Sequence, residues 1–191
     1  MQFLKNKIFL VTLLFIYIPG LVVADATLDS SDSGVEKLLN SLAKANSQKE
    51  AIVLKEKIWQ FWLIDHENNS AVEQFDVALD YFERNKLEKA NQLFSEIISS
   101  YPDYMEAWNK RATIRFLKGD YQGSLADIEE VLLRQKRHFG AISGAGLIYL
   151  ALGDDQRALR SYNRVLEIDP LNKEALYFVL NLRDKLYGKI L

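Results

Sequence analysis

Residues 139–172 read FGAISGAGLIYLALGDDQRALRSYNRVLEIDPLN, two apolar segments separated by Gly153-Asp154, with Pro170 after the second. Glycine is favoured in the left-handed conformation that follows the end of a helix. Proline cannot continue a helix, because it lacks the backbone donor and its ring clashes with the preceding turn. The stretch therefore predicts a hairpin of two helices that ends at the proline.

The same pattern recurs along the chain with a fixed period. A 34-residue register that starts at Ala71 restarts at Met105, Phe139 and Lys173. Residues of one kind hold equivalent positions: small ones at position 8 (Ala78, Ala112, Gly146) and position 20 (Ala90, Ala158), aromatic ones at position 11 (Tyr81, Tyr149) and position 24 (Phe94, Tyr162), and proline at position 32 (Pro102, Pro170). Such a period is typical of helix hairpins that stack into a solenoid.

Each copy of the register predicts one helix over about positions 2–14 and a second over about positions 17–30. In the second helix of the first copy, Ala90, Phe94 and Ile97 are spaced i, i+4, i+7 and therefore share one face. We expect the small residues at positions 8 and 20 to let the two helices approach closely. The aromatic residue at position 24 is expected to pack against the next copy.

This pattern resembles that of the tetratricopeptide repeat (TPR) family, with three repeats at residues 71–104, 105–138 and 139–172. Residues 108–113 (WNKRAT) and 138–144 (HFGAISG) are similar to stretches of short, signal-bearing TPR proteins of alphaproteobacteria. The resemblance implies an all-α fold, a right-handed α-solenoid of three TPR helix hairpins.

Four segments flank these repeats. Residues 34–64 carry two helical patterns outside the register and are interpreted as a degenerate N-terminal hairpin that caps the solenoid, since terminal repeats are often atypical. Residues 173–188 predict a C-terminal solvating helix that covers the apolar face of the last repeat. Residues 25–33 are small, polar and acidic, and are interpreted as a linker. Residues 65–70 (DHENNS) predict a turn.

The beginning of the chain resembles a secretory signal peptide. Lys5 and Lys7 precede an apolar stretch from Ile8 to Ile18 that is too short to span a bilayer comfortably. Small residues follow where a signal peptidase cleaves. We therefore expect residues 1–24 to be a signal peptide and the protein to be exported to the periplasm. The alternative is an uncleaved signal that anchors the protein to the inner membrane, the only case in which we expect membrane contact.

Composition excludes several kinds of function. The 191 residues carry 24 basic and 26 acidic side chains, so no basic excess favours nucleic acid. The absence of cysteine excludes disulfides, thiol catalysis and zinc–thiolate sites. No HExxH, GxSxG or phosphate-loop motif occurs. We therefore expect no catalysis, no cofactor and no bound metal, and the expected partner is another protein.

The TPR resemblance implies a concave groove lined by the first helix of each repeat. Ten residues are predicted to bind a partner there: Phe75, Leu79, Phe82, Asn109, Thr113, Phe116, Ser143, Leu147, Tyr177 and Asn181. We expect the three phenylalanines to be apolar anchors, and the asparagines and Thr113 to supply hydrogen bonds. A largely apolar groove suits an amphipathic helix or an extended peptide, and the predicted function is a protein–protein interaction scaffold of the cell envelope. Alternatively, the N-terminal hairpin or a second copy of the chain fills the groove of a self-associating structural unit.

One group of TPR proteins grips a C-terminal carboxylate with lysine, asparagine and arginine side chains at five groove positions. Here these positions hold Phe75, Leu79, Lys110, Gly140 and Gly144. The carboxylate clamp is therefore absent, and the sequence does not predict an adaptor for chaperone tails.

Two arginines depart from the repeat pattern. Arg111 and Arg115 hold positions that normally carry Leu and Tyr packed inside a repeat, and being four residues apart they share a helix face. A buried arginine needs a partner. Asp127, Glu129 and Glu130 are the predicted partners in an internal ion-pair network, and an anion-binding site is the alternative.

Three glycines, Gly140, Gly144 and Gly146, lie in the first helix of the third copy. Each costs a helix about 1 kcal/mol relative to alanine. Close helix–helix packing is the predicted reason, and backbone exposed to a ligand at Gly140 is the alternative. His138, just before this helix, is predicted to pack or to cap it rather than to act as a base.

Overall fold

The computed structural model describes residues 32–63 and 69–188, and these two ranges form α-helices joined by short turns, without a strand. The helices are α1 (Asp32–Leu42), α2 (Gln48–Leu63), α3 (Asn69–Glu83), α4 (Leu87–Ser100), α5 (Met105–Lys118), α6 (Tyr121–Arg134), α7 (Phe139–Ala151), α8 (Asp155–Ile168) and α9 (Lys173–Tyr187). Within these ranges no helix is long and apolar enough to cross a membrane. The predicted signal peptide, residues 1–24, lies outside the described residues.

From α3 onward the helices pair into three hairpins, α3–α4, α5–α6 and α7–α8. Each hairpin packs on the next one through its second helix, and α9 packs on α8. This stack is the predicted all-helical solenoid of three hairpins. The predicted helix spans agree with the structure to within one residue in the second and third copies. The assignment of domains along the chain stays a prediction.

Two helices near the N-terminus begin inside segments that were predicted to be irregular. α1 begins at Asp32, within the predicted linker 25–33, and α3 begins at Asn69, within the predicted turn 65–70. Small polar residues are common near helix starts as well as in loops. Polar composition alone therefore does not distinguish a helix start from a loop.

The turns inside the second and third hairpins have the expected glycine conformation. Gly119 and Gly153 have φ angles of 84° and 75°. The following residues, Asp120 and Asp154, accept hydrogen bonds from the backbone N–H three residues further on, and so cap α6 and α8. These four residues fix where the helices end and begin.

Small and aromatic residues of the repeat pack together in the core. A Cβ atom on Gly146 would lie 2.9 Å from the Tyr162 ring, so glycine is what lets α7 and α8 approach this closely. Tyr162 stacks on Phe178 of α9, with ring centroids 4.5 Å apart, as expected for an aromatic that packs on the next element. Phe94, its counterpart in the first hairpin, packs on Phe75 of the same hairpin at 5.4 Å.

The N-terminal hairpin of α1 and α2 lies along one edge of the solenoid. α1 packs on α8, and α2 packs on α5. Three hydrogen bonds join α2 to the turns between successive hairpins: Gln48 Nε2 to the Leu171 carbonyl (2.6 Å), Lys55 Nζ to the Asp169 carboxylate (2.9 Å), and the Tyr104 hydroxyl to the Leu63 carbonyl (2.7 Å). α2 thus begins beside the turn between α8 and α9 and ends beside the turn between α4 and α5. The sequence predicts that this hairpin caps the first repeat. In the structure it spans the repeats instead.

Candidate functional site

The candidate site is the face of α3, α5, α7 and α9 that carries the ten predicted groove residues, and we call it the groove face. α5 and α7 pack directly on each other. Seven of the ten residues are buried (Phe75, Leu79, Asn109, Thr113, Phe116, Ser143 and Leu147), Phe82 is half-buried, and Tyr177 and Asn181 are exposed. The groove face is therefore mostly closed, and α9 carries its most open part. Partner binding by these residues stays a prediction.

Two of the three predicted aromatic anchors belong to the core. The ring of Phe75 is 5.4 Å from that of Phe94 and 5.3 Å from that of Tyr104, and only 1% of the residue is exposed. Phe116 is buried as well, with its ring 5.8 Å from that of Tyr121. Neighbouring side chains already cover these two phenylalanines, and their role as apolar anchors for a partner stays a prediction.

The polar residues predicted to bind a partner make hydrogen bonds within the protein. The Asn109 side chain donates to Glu106 Oε2 at 2.9 Å, and the Thr113 hydroxyl donates to the Asn109 carbonyl at 3.1 Å. The Asn181 amide donates to the Tyr177 carbonyl at 2.7 Å. A partner that used these donors would have to replace existing bonds, so they add little net binding free energy.

A buried polar pair, which sequence reasoning missed, lies at the start of α5 and α7. His138 Nδ1 accepts a hydrogen bond from the Ala141 backbone N–H at 3.0 Å and so caps α7. Nε2 therefore carries the proton, which it donates to Glu106 Oε1 at 2.7 Å. Both side chains are fully buried. The prediction that His138 packs and caps is confirmed.

Lys110 places a third titratable group beside this pair. Burial alone would raise the pKa of Glu106, but His138, Lys110 and Asn109 outweigh it and leave the pKa of that carboxyl below its usual value. Burial lowers the pKa of Lys110, and the negative charges of Glu106 and Glu83 oppose that shift. The groove face therefore holds opposite charges in a buried position, where each depends on the other.

Two tryptophans of α2 pack on the His138 ring of this pair. Trp62 stacks on the His138 ring with centroids 4.0 Å apart, and lies 5.1 Å from the Phe139 ring. Trp59 meets both of those rings edge-on at 5.4 Å. We call His138, Phe139 and Gly140 the α2 contact surface. The N-terminal hairpin thus occupies part of the groove face.

The contact between Trp59 of α2 and the start of α7 requires a residue without a side chain at Gly140. A Cβ atom there would lie 2.7 Å from Cη2 of Trp59. Close helix packing therefore explains Gly140 and Gly146, as predicted, although at Gly140 the neighbour is α2 rather than a helix of the repeats. The sequence signal for this contact is the spacing of Trp59 and Trp62, which puts both rings on one helix face.

A cavity of about 20 Å³ lies among α5, α6 and α7. Its lining is mostly apolar, with polar groups from Asn109, Thr113 and Ser124. This volume is room for a single water molecule rather than for an organic substrate. The cavity is therefore a packing feature and does not indicate an active site.

An apolar stripe on α9 is open to solvent. Leu176, Tyr177, Leu180 and Tyr187 are 46%, 48%, 55% and 70% exposed. Leu180 holds position 8 of the register, where the earlier copies have the small residues that contact the second helix of a hairpin. α9 covers α8 as predicted, and its exposed side combines these apolar residues with charged ones, among them Arg183, Asp184 and Lys185.

The arginines of the second repeat form an internal ion-pair network. Asp127 accepts hydrogen bonds from Arg111 Nε at 2.9 Å and Nη2 at 2.7 Å, and from Arg115 Nη1 at 2.9 Å. Arg111 Nη1 donates to the Ser95 hydroxyl at 3.1 Å. The predicted pairing with Asp127 is confirmed. Since protein groups already occupy these donors of Arg111, the structure favours the ion-pair interpretation over an anion site.

The other two predicted acidic partners do not contribute. Glu130 pairs with Arg134 at 2.8 Å, and Glu129 is exposed. The guanidinium groups of Arg111 and Arg134 lie 5.0 and 5.7 Å from the centre of the Trp108 ring. Cation–π attraction therefore adds to the ion pairs that fix this part of the second repeat.

The stacked helix hairpins of residues 69–188 define a helical-repeat fold as the class of this protein. The Tetratricopeptide repeat family profile matches residues 75–138 and 118–173. A TPR repeat-containing protein of Rhizobium etli is 33% identical over 158 residues, which are 81% of this chain and 75% of that protein. The chain belongs to the TPR family.

Solved structures of low sequence identity share the fold. The first TPR domain of RPAP3 (Spaghetti), solved with the HSP90 peptide SRMEEVD, has a TM-score of 0.58 at 22% identity, and the match covers 61% of this chain and 92% of that domain. The type III secretion translocator chaperone SycD of Yersinia enterocolitica has a TM-score of 0.59 at 13% identity, covering 65% of this chain and 99% of SycD. Both are helical-repeat structures similar to this one in architecture.

Proposed function

We propose that this protein is a protein–protein interaction module of the cell envelope, which binds a peptide or helix of a partner protein and catalyses no reaction. The observation that carries the proposal is the exposed apolar stripe of α9, which includes Tyr177 of the groove face. Exposed apolar side chains grouped on one helix face among polar residues are typical of interaction sites. The RPAP3 domain, which holds a peptide, supports a protein partner for this TPR fold as well.

The composition of the groove face indicates the chemistry of that partner. The carboxylate-clamp positions hold apolar residues and glycines apart from Lys110, which is buried. An acidic C-terminal tail such as SRMEEVD is therefore not the ligand that we propose. Leucines and tyrosines on α9 favour the apolar side of an amphipathic helix.

Export to the periplasm is supported by the sequence of residues 1–24, with its two lysines and its apolar stretch. We expect cell fractionation to recover the protein with the periplasmic contents. N-terminal sequencing of that fraction should start near residue 25. A start at Met1 in the membrane fraction would replace cleavage by the anchored alternative.

Crosslinking in cells followed by affinity capture tests partner binding. The variant carries Leu176→Glu and Leu180→Glu, which place charges on exposed positions of α9 and leave the core intact. We expect it to lose a partner that the native chain captures. Val77→Glu is the matched control, because Val77 is 53% exposed but lies on α3. Equal capture by all three chains would exclude α9 as the interface.

One observation favours the alternative in which the chain fills its own groove. Trp59 and Trp62 already occupy the α2 contact surface, so part of the groove face is covered in cis. A self-associating structural unit would show a concentration-dependent sedimentation coefficient. A constant monomer value together with a captured partner favours the interaction module.

A further inference from the structure

Three of the side chains through which α2 meets the solenoid lie on one helix face. Lys55, Trp59 and Trp62 follow one another at i, i+4 and i+7. Lys55 pairs at 2.9 Å with Asp169, whose carboxylate is fully buried, and the two tryptophans lie on the α2 contact surface. This face of α2 therefore presents one basic and two aromatic groups to the solenoid at fixed spacing.

The solenoid itself forms the surface that receives these rings. Hydrogen bonds from Ala141 and to Glu106 hold the His138 ring in place, so its orientation does not depend on α2. Trp62 lies nearly parallel to that ring, at an interplanar angle of 19°. Gly140 leaves the space into which Trp59 fits. The surface can therefore receive another helix if α2 leaves.

α2 itself is an imperfect occupant. The Nε1 donor of Trp62 is buried without a hydrogen-bond partner, and only 3% of the residue is exposed. An unsatisfied buried donor weakens the interaction that buries it.

We propose that the α2 contact surface is a binding site for an amphipathic helix of a partner protein, and that α2 is its displaceable occupant in cis. The ligand helix carries a basic residue followed four and seven residues later by aromatic residues. Phenylalanine is the better second aromatic, because it has no N–H group to leave unpaired. The inference rests on the proposed function, since it names the ligand chemistry of the same interaction module.

A fluorescently labelled peptide with the sequence of residues 48–63 and the change Trp62→Phe tests the proposal by anisotropy. The native full chain is expected to bind it weakly, because α2 competes. With Trp59→Ala in the chain, α2 loses a ring, and binding should become about tenfold tighter. Adding Gly140→Ala should abolish binding, since the new Cβ occupies the space of the peptide's first aromatic ring. Adding Gly144→Ala instead is the matched control and should leave the tight binding unchanged.

Circular dichroism establishes that each variant keeps its helical content. If a variant unfolds, hydrogen exchange on the native chain tests the proposal instead. The amides of α2 should then exchange through a local opening, faster than those of α7 and α8, and Trp62→Phe should slow the exchange of α2 by about tenfold. Exchange of α2 only together with α7 and α8 would overturn the proposal.

Peptide binding that does not respond to Gly140→Ala would overturn it as well. The proposed function fails in a different way. If crosslinking in cells captures no partner while the peptide still binds as expected, the surface has the inferred chemistry but the protein is not the proposed envelope module.

Discussion

The hydroxyl of Tyr162 is buried without a hydrogen-bond partner, although its ring stacks on Phe178 in the core. Because an unsatisfied buried polar group is unfavourable, Tyr162→Phe should raise the free energy of unfolding by about 1 kcal/mol. Urea denaturation measures this change. Tyr187→Phe is the control, since Tyr187 is 70% exposed and its hydroxyl is free to contact water. A loss of stability in Tyr162→Phe would mean that the hydroxyl has a partner in solution.

The same residue makes stability depend on alkaline pH. Burial, together with the negative charge of Glu174, raises the pKa of Tyr162 well above its usual value. The unfolded chain ionises near pH 10, whereas the native residue keeps its proton. The contribution of the Tyr162 hydroxyl to the free energy of unfolding is therefore fully present below about pH 10, and it is lost as the pH rises through the native pKa. Tyr162→Phe should unfold less readily than the native chain above that pH, in denaturation curves recorded across the range.

Arg111 is the residue on which the ion-pair interpretation can be tested. Arg111→Leu removes two hydrogen bonds to Asp127 and leaves that buried carboxylate with Arg115 alone. We expect a loss of about 2 kcal/mol in thermal denaturation, with partner binding retained. Arg84→Leu breaks an exposed pair with Asp80 and should cost less than about 0.5 kcal/mol. Lost binding at an unchanged melting temperature would instead identify an anion site.

The glycines of α7 are not interchangeable, because the space around them differs. A Cβ on Gly146 would lie 2.9 Å from the Tyr162 ring, whereas one on Gly144 would lie 3.4 Å from Ile128 Cδ1, the end of a flexible side chain. Gly146→Ala should therefore destabilise the protein by about 1–3 kcal/mol. Gly144→Ala should be neutral or stabilising by up to about 1 kcal/mol, because alanine is the better helix former.

Melting temperatures of the two variants, recorded side by side, check this prediction. Each substitution adds one methyl group to the same helix, so helix propensity cancels in the comparison. Equal effects would mean that α7 and α8 can separate enough to accommodate the extra methyl group.

The helices themselves were predictable because their limits depend on neighbouring residues. Gly119 and Gly153 end helices through local backbone geometry, and Asp120 and Asp154 start the next ones through local caps. Because the period is fixed, the helices begin and end at equivalent positions in successive copies. The first copy has no Gly-Asp turn, and there the predicted start of α3 differs most from the observed one.

The groove face was less predictable at the scale of the whole molecule. Whether Phe75 is covered depends on Tyr104, in the turn before the next hairpin, and whether the His138 ring is covered depends on α2. Such contacts leave no periodic signal, because they join segments far apart in the sequence. Position in the register therefore predicts which face a residue lies on, but not whether a partner can reach it.

α2 also changes how the solenoid responds to pulling. Without it, the hairpins contact only their neighbours, and an array of that kind lengthens and unfolds one unit at a time. Gln48 and Leu171 are 123 positions apart in the sequence, yet a hydrogen bond joins them, and the other end of α2 is bonded to Tyr104. The helix acts as a brace of fixed length across three turns. A force applied along the repeats therefore acts first on these few bonds, and the solenoid can lengthen elastically only after they break.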